Sequence, residues 1–319
     1  MQTAKTAPAA GQSDKAPFWE RFKAWWNGYE LEEARRKFIA VQTADPSHDV
    51  RYEAPKLHWE TARLRLVQEV WGEGFSSPGG AEHILNMVKF FGLDPAMSVL
   101  DLGAGLGGAT RAMSQQFGVW VTGLEASKEL AEAGMALSVK AGMAKKAAIS
   151  NFDPATFEHK PKSIDCVFSK EFFFTVADKP EFLRAVENTM KPRGQLLFTD
   201  YVLAKPGQHS KALSKWSEFE PNPPHAWAAQ DYQDALAAIH LDIRVVEDHT
   251  KQFYRMVTRA WADYIVQLQK RGVSSEDAGA LVNEVELWAR RMQAIEAGDL
   301  KVCRIHALKR DTNRLLSAW

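Results

Sequence analysis

From Ser98 to Glu125 the chain passes from an apolar strand through a glycine-rich turn and an amphipathic stretch into a second apolar strand ending in an acid. The residues are Ser98-Val-Leu-Asp-Leu-Gly-Ala-Gly-Leu-Gly-Gly108 and Val119-Trp-Val-Thr-Gly-Leu-Glu125. Strand, tight turn, helix and second strand form the opening unit of an open α/β sheet, and nothing else in the chain limits the fold class as sharply. Glycines at 103 and 105 let the backbone turn sharply and approach a ligand closely. An acid at the end of the second strand can accept two hydrogen bonds from ribose hydroxyls.

The loop reads Gly-x-Gly-x-Gly-Gly, with a glycine at 107 that the dinucleotide fingerprint does not call for. It also lacks the Lys and Ser/Thr of a phosphate-binding loop. Asp101 stands just before the glycines, where a carboxylate repels a pyrophosphate and anchors a cation. An adenosine ligand with an ammonium group and no phosphate fits both features. S-adenosyl-L-methionine is such a ligand.

The alternation of apolar patterns continues downstream. It predicts helices over 57–71, 81–91, 107–117, 127–141 and 179–190. Strands fall near 97–102, 119–124, 147–150, 164–168 and 195–201. Such βα alternation implies a parallel, doubly wound, Rossmann-like sheet. Residues 203–230, with four prolines and two tryptophans, read as a cap over the carboxyl edge of that sheet. A helix over 231–240, a sixth strand over 242–248, a helical hairpin (251–271 and 275–297) and a last strand over 301–309 bring the count to seven strands. The hairpin would sit near the mouth of the site.

Ahead of this main domain, assigned to 57–319, residues 1–16 are small and polar and read as a disordered tail. Residues 17–56 read as a helical N-terminal extension and linker. Phe18, Phe22, Trp25 and Trp26 line one side of the 17–43 helix. That stripe suits packing onto the main domain, and it also suits a peripheral membrane contact.

Taken together, these segments resemble the class I S-adenosylmethionine-dependent methyltransferases over about residues 57–310. The resemblance implies that the loop from Asp101 through Gly103, Ala104 and Gly105 to Gly107 holds the methionine end of the cofactor. It implies that Glu125, with Ala126, holds the ribose, and that Asp153, in Ser150-Asn151-Phe152-Asp153, lies at the adenine. Ser169 and Lys170 follow as cofactor neighbours at the end of strand four, which begins with the family's Asp165. Within the class, Trp71-Gly-Glu-Gly-Phe-Ser-Ser-Pro-Gly-Gly80, Leu102–Gly108 and Thr199-Asp-Tyr201 look most like phosphoethanolamine and small-amine (sarcosine and dimethylglycine) N-methyltransferases. The substrate positions depart from that pattern. The phosphobase enzymes' Tyr–His pair falls on Trp59 and Thr175, their Ser-Arg-Asp is Ser169-Lys170-Glu171, and their phosphate clamps have no match in Ser217–Ala226. The likeness therefore implies the cofactor site more firmly than the acceptor, and phosphoethanolamine is not the expected acceptor.

Residues just beyond strands four and five face the ligand in open α/β sheets. Glu171 is placed to take a proton or hold an ammonium, or else to pair with Lys170. Tyr201 is placed to hydrogen-bond the acceptor, or else to cap the strand. His58 is a candidate base by its near-neutral pKa, with His225 as a second candidate. Trp59, Trp71, Phe75, Phe172, Thr175, Trp216 and Trp227 are the candidate acceptor walls. Aromatic faces attract cationic amines, although most of the 11 tryptophans must pack the core. Arg290-Arg291 and Lys301–Arg304 form a basic patch, either solvated or suited to a phosphate or carboxylate.

Forty basic residues balance forty acidic ones, so no nucleic-acid footprint is expected. Two cysteines make no disulfide framework, and the histidines lack metal-ligand spacing, so no metal is expected. No apolar run approaches the ~20 residues of a membrane span, and the reducing cytoplasm is the expected compartment. The function these residues favour is methyl transfer to a small molecule, with an amine nitrogen first. C-, O- or S-methylation of a lipid-like metabolite and a non-catalytic S-adenosylmethionine-binding subunit are the alternatives.

Overall fold

A computed structural model describes residues 57–311. The tail, the aromatic 17–43 stripe and its membrane reading lie outside those residues. Seven strands form one sheet in the order β3-β2-β1-β4-β5-β7-β6. They are β1 (Ser98–Leu102), β2 (Trp120–Glu125), β3 (Ala147–Asn151), β4 (Ile164–Lys170), β5 (Met190–Leu203), β6 (Leu241–Asp248) and β7 (Leu300–Lys309). The helices are α1 (Thr61–Trp71), α2 (Gly80–Met87), α3 (Gly108–Phe117), α4 (Lys128–Lys140), α5 (Lys179–Thr189), α6 (Lys211–Phe219), α7 (Ala229–Ala238), α8 (Thr250–Arg271) and α9 (Ser275–Glu296).

The first five strands are parallel, as the alternation predicts. The sheet as a whole is mixed, however, because β7 runs antiparallel to both β5 and β6. The cause is the hairpin: α8 and α9 are 22 residues each, so they carry the chain out and back to the end of the sheet it left. The last strand then enters from that end, between β5 and β6. The 203–230 cap also contains more regular structure than its prolines imply, since α6 occupies 211–219.

The central strands are apolar on both faces because helices cover both. On one face Ile84, Met87 and Phe91 pack with Met113 over Val99, Cys166 and Phe168. On the other, Phe182, Val186 and Leu236 pack over Leu100, Val167 and Phe198. A third cluster joins α1, α6, α8 and α9 around Trp71, Trp261 and Trp288 above the carboxyl end of the sheet. The strand order reverses between β1 and β4, so the crevice beyond their carboxyl ends is the ligand position this topology provides.

Candidate active site

That crevice is a cavity of about 820 Å³, within the ~300–1,000 Å³ range of small-molecule and cofactor sites. Its floor is the loop after β1. Gly103, Gly105 and Gly107 all adopt left-handed backbone, with φ of 76°, 55° and 75°. A Cβ on Gly103 would lie 2.4 Å from the Cβ of Phe172, and one on Gly105 would lie 2.8 Å from the Ser76 hydroxyl. The glycines are therefore a steric requirement, and they leave backbone open to the cavity at 103 and 105.

Glu125 closes one side. Its Oε2 accepts the Gly105 amide at 2.8 Å and its Oε1 accepts the Ser127 amide at 2.9 Å. Burial raises its pKa, opposed by these backbone donors. Each oxygen keeps a second lone pair, so a pair of ligand hydroxyls can still donate to it. Asn151 secures the same corner, donating to the carbonyls of Glu125 (3.0 Å) and Ala126 (2.9 Å). A cradle that excludes a Cβ, beside a buried carboxylate with spare acceptor capacity, fits an adenosine cofactor without phosphates.

Beyond β4, Glu171 sits in the left-handed region at φ 46°, a strained setting for a residue with a Cβ. Thr199 on β5 holds it there: the Glu171 amide donates to the Thr199 carbonyl at 2.7 Å, and the Thr199 hydroxyl donates to Glu171 Oε1 at 2.8 Å. Lys170 pairs with the other Glu171 oxygen and donates to the Ser77 hydroxyl at 2.9 Å, tying β4 to the loop before α2. Glu171 thus lines the cavity and is at the same time the ion-pair partner of Lys170.

The roof comes from the caps. Arg63 on α1 donates to Glu284 Oε2 on α9 at 2.8 Å, and Trp288 donates to Glu284 Oε1 at 3.0 Å. The Arg63 guanidinium stacks over the Trp59 ring at 3.8 Å. Arg291, also on α9, grips Glu220 just after α6. Glu284, Trp288 and Arg291 are spaced i, i+4, i+7, a one-face helical pattern that could have marked this wall in the sequence.

The cavity wall gathers His58, Trp59, Gly103, Gly105, Glu125, Ala126, Lys170, Glu171, Phe172, Thr175, Tyr201 and His225 from the sequence candidates. Others support it from behind. Asp101 is fully buried beneath the loop, where its carboxylate takes the Thr110 hydroxyl at 2.6 Å; burial pushes its pKa up to about 7. Ser169 donates to the Leu102 carbonyl at 2.8 Å, bracing β4 against β1. Asp153 caps the turn at Pro154, and Phe152 packs on Phe172. Ala104 and Gly107 pack against α4 and β3.

Four aromatic candidates face elsewhere, because they are packed into the hydrophobic clusters of the caps and the sheet. Trp71 packs on Trp288 (4.5 Å) and Trp261 (6.1 Å). Trp216 is buried against Phe174 and Tyr201. Trp227 lies on Tyr232 and against the Lys179 ammonium. Phe75 fills the space over Gly108. The basic patch also divides: Arg291 faces the cavity, Arg290 pairs with Glu286, and Lys301 and Arg304 pair with acids of β6.

A switch-point crevice built on a glycine cradle and a strand-end acid is the arrangement of the S-adenosylmethionine-dependent methyltransferase class. The chain belongs to the methyltransferase-domain family, whose model matches residues 80–243. Among curated relatives it is similar to phosphoethanolamine N-methyltransferase 1 of Arabidopsis thaliana, 27% identical over 64% of this chain and 40% of that one. It is also similar to the glycine/sarcosine/dimethylglycine N-methyltransferase of Actinopolyspora halophila, 25% identical over 54% of this chain and 27% of that one. The chain thus spans less than half the length of these two relatives. Among solved structures, phosphoethanolamine N-methyltransferase 2 of Haemonchus contortus in complex with S-adenosyl-L-methionine shares the fold. Its TM-score is 0.69 at 22% identity, covering 78% of this chain and 57% of that one.

Proposed function

We propose that this protein transfers a methyl group from S-adenosyl-L-methionine to the nitrogen of a small amine. The observation that carries the reading is the meeting of the Gly103–Gly105 cradle, Glu125 and the Glu171 carboxylate in one cavity. When bound, the cofactor supplies an electrophilic methyl on a sulfonium sulfur. The glycine backbone and Glu125 would hold its amino-acid and ribose ends.

The chain's own contribution is alignment, exclusion of water and proton handling. An amine arrives as an ammonium and must lose a proton before its lone pair can attack. Glu171, fixed by Thr199 and Lys170, is the acceptor for that proton. Phe172 and Phe174 line the site with aromatic surface, and a ring face turned to the cation is worth ~0.5–2 kcal/mol. The likeness to amine methyltransferases supports the same reading. Two buried, unpaired cysteines suit a reducing cytoplasm. No helix among the described residues is long and apolar enough to cross a membrane.

The test is methyl-labelled S-adenosyl-L-methionine with the purified chain, a panel of small primary to tertiary amines, and a cell extract split into aqueous and organic fractions. Label on the amines and in the aqueous fraction is the expected result. Label confined to the organic fraction would replace the amine with a lipid-like acceptor.

A further inference from the structure

Arg291 presents the cavity with a guanidinium whose anion seat is already filled by the protein. Its Nε and Nη2 donate to Glu220 Oε1 and Oε2, both at 2.7 Å. This fork-on-fork contact is the one by which arginine recognises a free carboxylate or phosphate. The Trp216 indole adds a third donor to Glu220 at 2.5 Å, and the Glu220 side chain is only 1% exposed. Arg291 also lies over the rings of Trp288 (4.7 Å) and Tyr201 (5.5 Å), and both Arg291 and Tyr201 line the cavity.

The plug is stiff. Glu220 opens the run Glu220-Pro-Asn-Pro-Pro-His225, whose prolines fix the backbone, and the His225 amide anchors it to the Phe174 carbonyl at 2.6 Å. The other basic groups buried in the wall are likewise taken, Arg63 by Glu284 and Lys170 by Glu171.

Resting on the amine reading above, we propose that Glu220 determines specificity. It takes the place on Arg291 that the phosphate or carboxylate of an acidic acceptor would occupy, so the site selects amines without an anionic group. Neutralising Glu220 leaves a buried guanidinium in need of an anion and creates an acidic-ligand site.

The experiment uses the full chain with S-adenosyl-L-homocysteine, alongside Glu220→Gln, Glu220→Ala and the double variant Glu220→Gln/Arg291→Gln. Inorganic phosphate and phosphoethanolamine are titrated calorimetrically, and methyl transfer to ethanolamine is read in parallel. The wild type should bind phosphoethanolamine at least tenfold more weakly than ethanolamine. Both single variants should gain at least tenfold in affinity for phosphate and phosphoethanolamine, and the double variant should lose that gain. Wild-type protein that binds phosphoethanolamine as well as ethanolamine overturns the proposal without any substitution. So do single variants that melt cooperatively and keep S-adenosyl-L-homocysteine binding yet bind phosphate no better, which would leave the ion pair a structural staple. Failure to methylate ethanolamine counts against the amine reading alone, because the phosphate titration decides on Glu220 independently of turnover.

Discussion

Thr199 holds Glu171 by both its backbone and its side chain, through the carbonyl at 2.7 Å and the hydroxyl at 2.8 Å. A carboxylate at positive φ stays in place only if its surroundings over-determine it, and these two bonds with the Lys170 ion pair do so. Thr199→Val keeps the shape and removes the hydroxyl. One hydrogen bond to a charged group is worth about 1.5–3 kcal/mol, so kcat should fall roughly tenfold to a hundredfold. Affinity for S-adenosyl-L-homocysteine should hold, and Glu171→Ala should abolish turnover with the same affinity retained. Steady-state kinetics beside calorimetry check this; unchanged kcat in both variants would remove Glu171 from the mechanism.

Glu125→Gln leaves one oxygen where two now serve the amides of Gly105 and Ser127 and, in the proposed complex, the ribose. Affinity for S-adenosyl-L-homocysteine should drop at least about tenfold, by the same hydrogen-bond magnitude. Calorimetry that finds equal affinity would take Glu125 out of the cofactor site.

Gly103→Ala adds a Cβ at φ 76° and 2.4 Å from the Phe172 Cβ. Strain of about 1–3 kcal/mol and displacement of Phe172 should lower the melting temperature and abolish cofactor binding. Gly142→Ala is the control: its φ is 71° but nothing lies within 4 Å. It should cost backbone strain alone, so similar losses in both would deny the cradle its steric role.

Asp101 keeps its proton up to about 7 when folded, against an ordinary 3.8, because of its burial. Between those values the folded state holds the extra proton, so stability falls as pH rises through the window and levels off above it. Asp200, whose pKa burial also pushes up, acts with the same sign. Asp101→Asn should therefore flatten the fall between pH 4 and 7 in part, by at most about 4 kcal/mol. Chemical denaturation of the cofactor-free protein across that range measures it, and parallel curves for wild type and variant would refute it.

The cradle was legible because it is local: Gly103, Gly105 and Glu125 belong to consecutive elements of one βαβ unit, so spacing alone brings them together. The parallel strands followed from the same alternation. The direction of β7 did not, because it depends on the matched lengths of α8 and α9 and on which gap in the sheet remained. The cavity wall opposite the cradle was the least legible. Arg63, Glu220 and Arg291 meet only through tertiary packing of three cap segments, and composition does not say which tryptophans face inward. Trp59, at the edge of the cap cluster, also lines the cavity, whereas Trp71 and Trp216 are buried within that cluster.

The position of β7 also makes the middle of the sheet depend on a pairing distant in sequence. It pairs with β5 from Gln195↔Leu308 to Leu203↔Leu300, across roughly a hundred intervening residues. Until the chain has been made through Lys309, the strand carrying Thr199 and Tyr201 has a bare edge and the two 22-residue cap helices have no return strand to anchor them. The Gly103–Glu125 unit is built from contacts close in sequence, whereas the outer edge of β5 is covered by a strand about a hundred residues further on. A fragment ending before Leu300 would still contain the cradle and Glu171, but its sheet would lack the strand that joins β5 to β6.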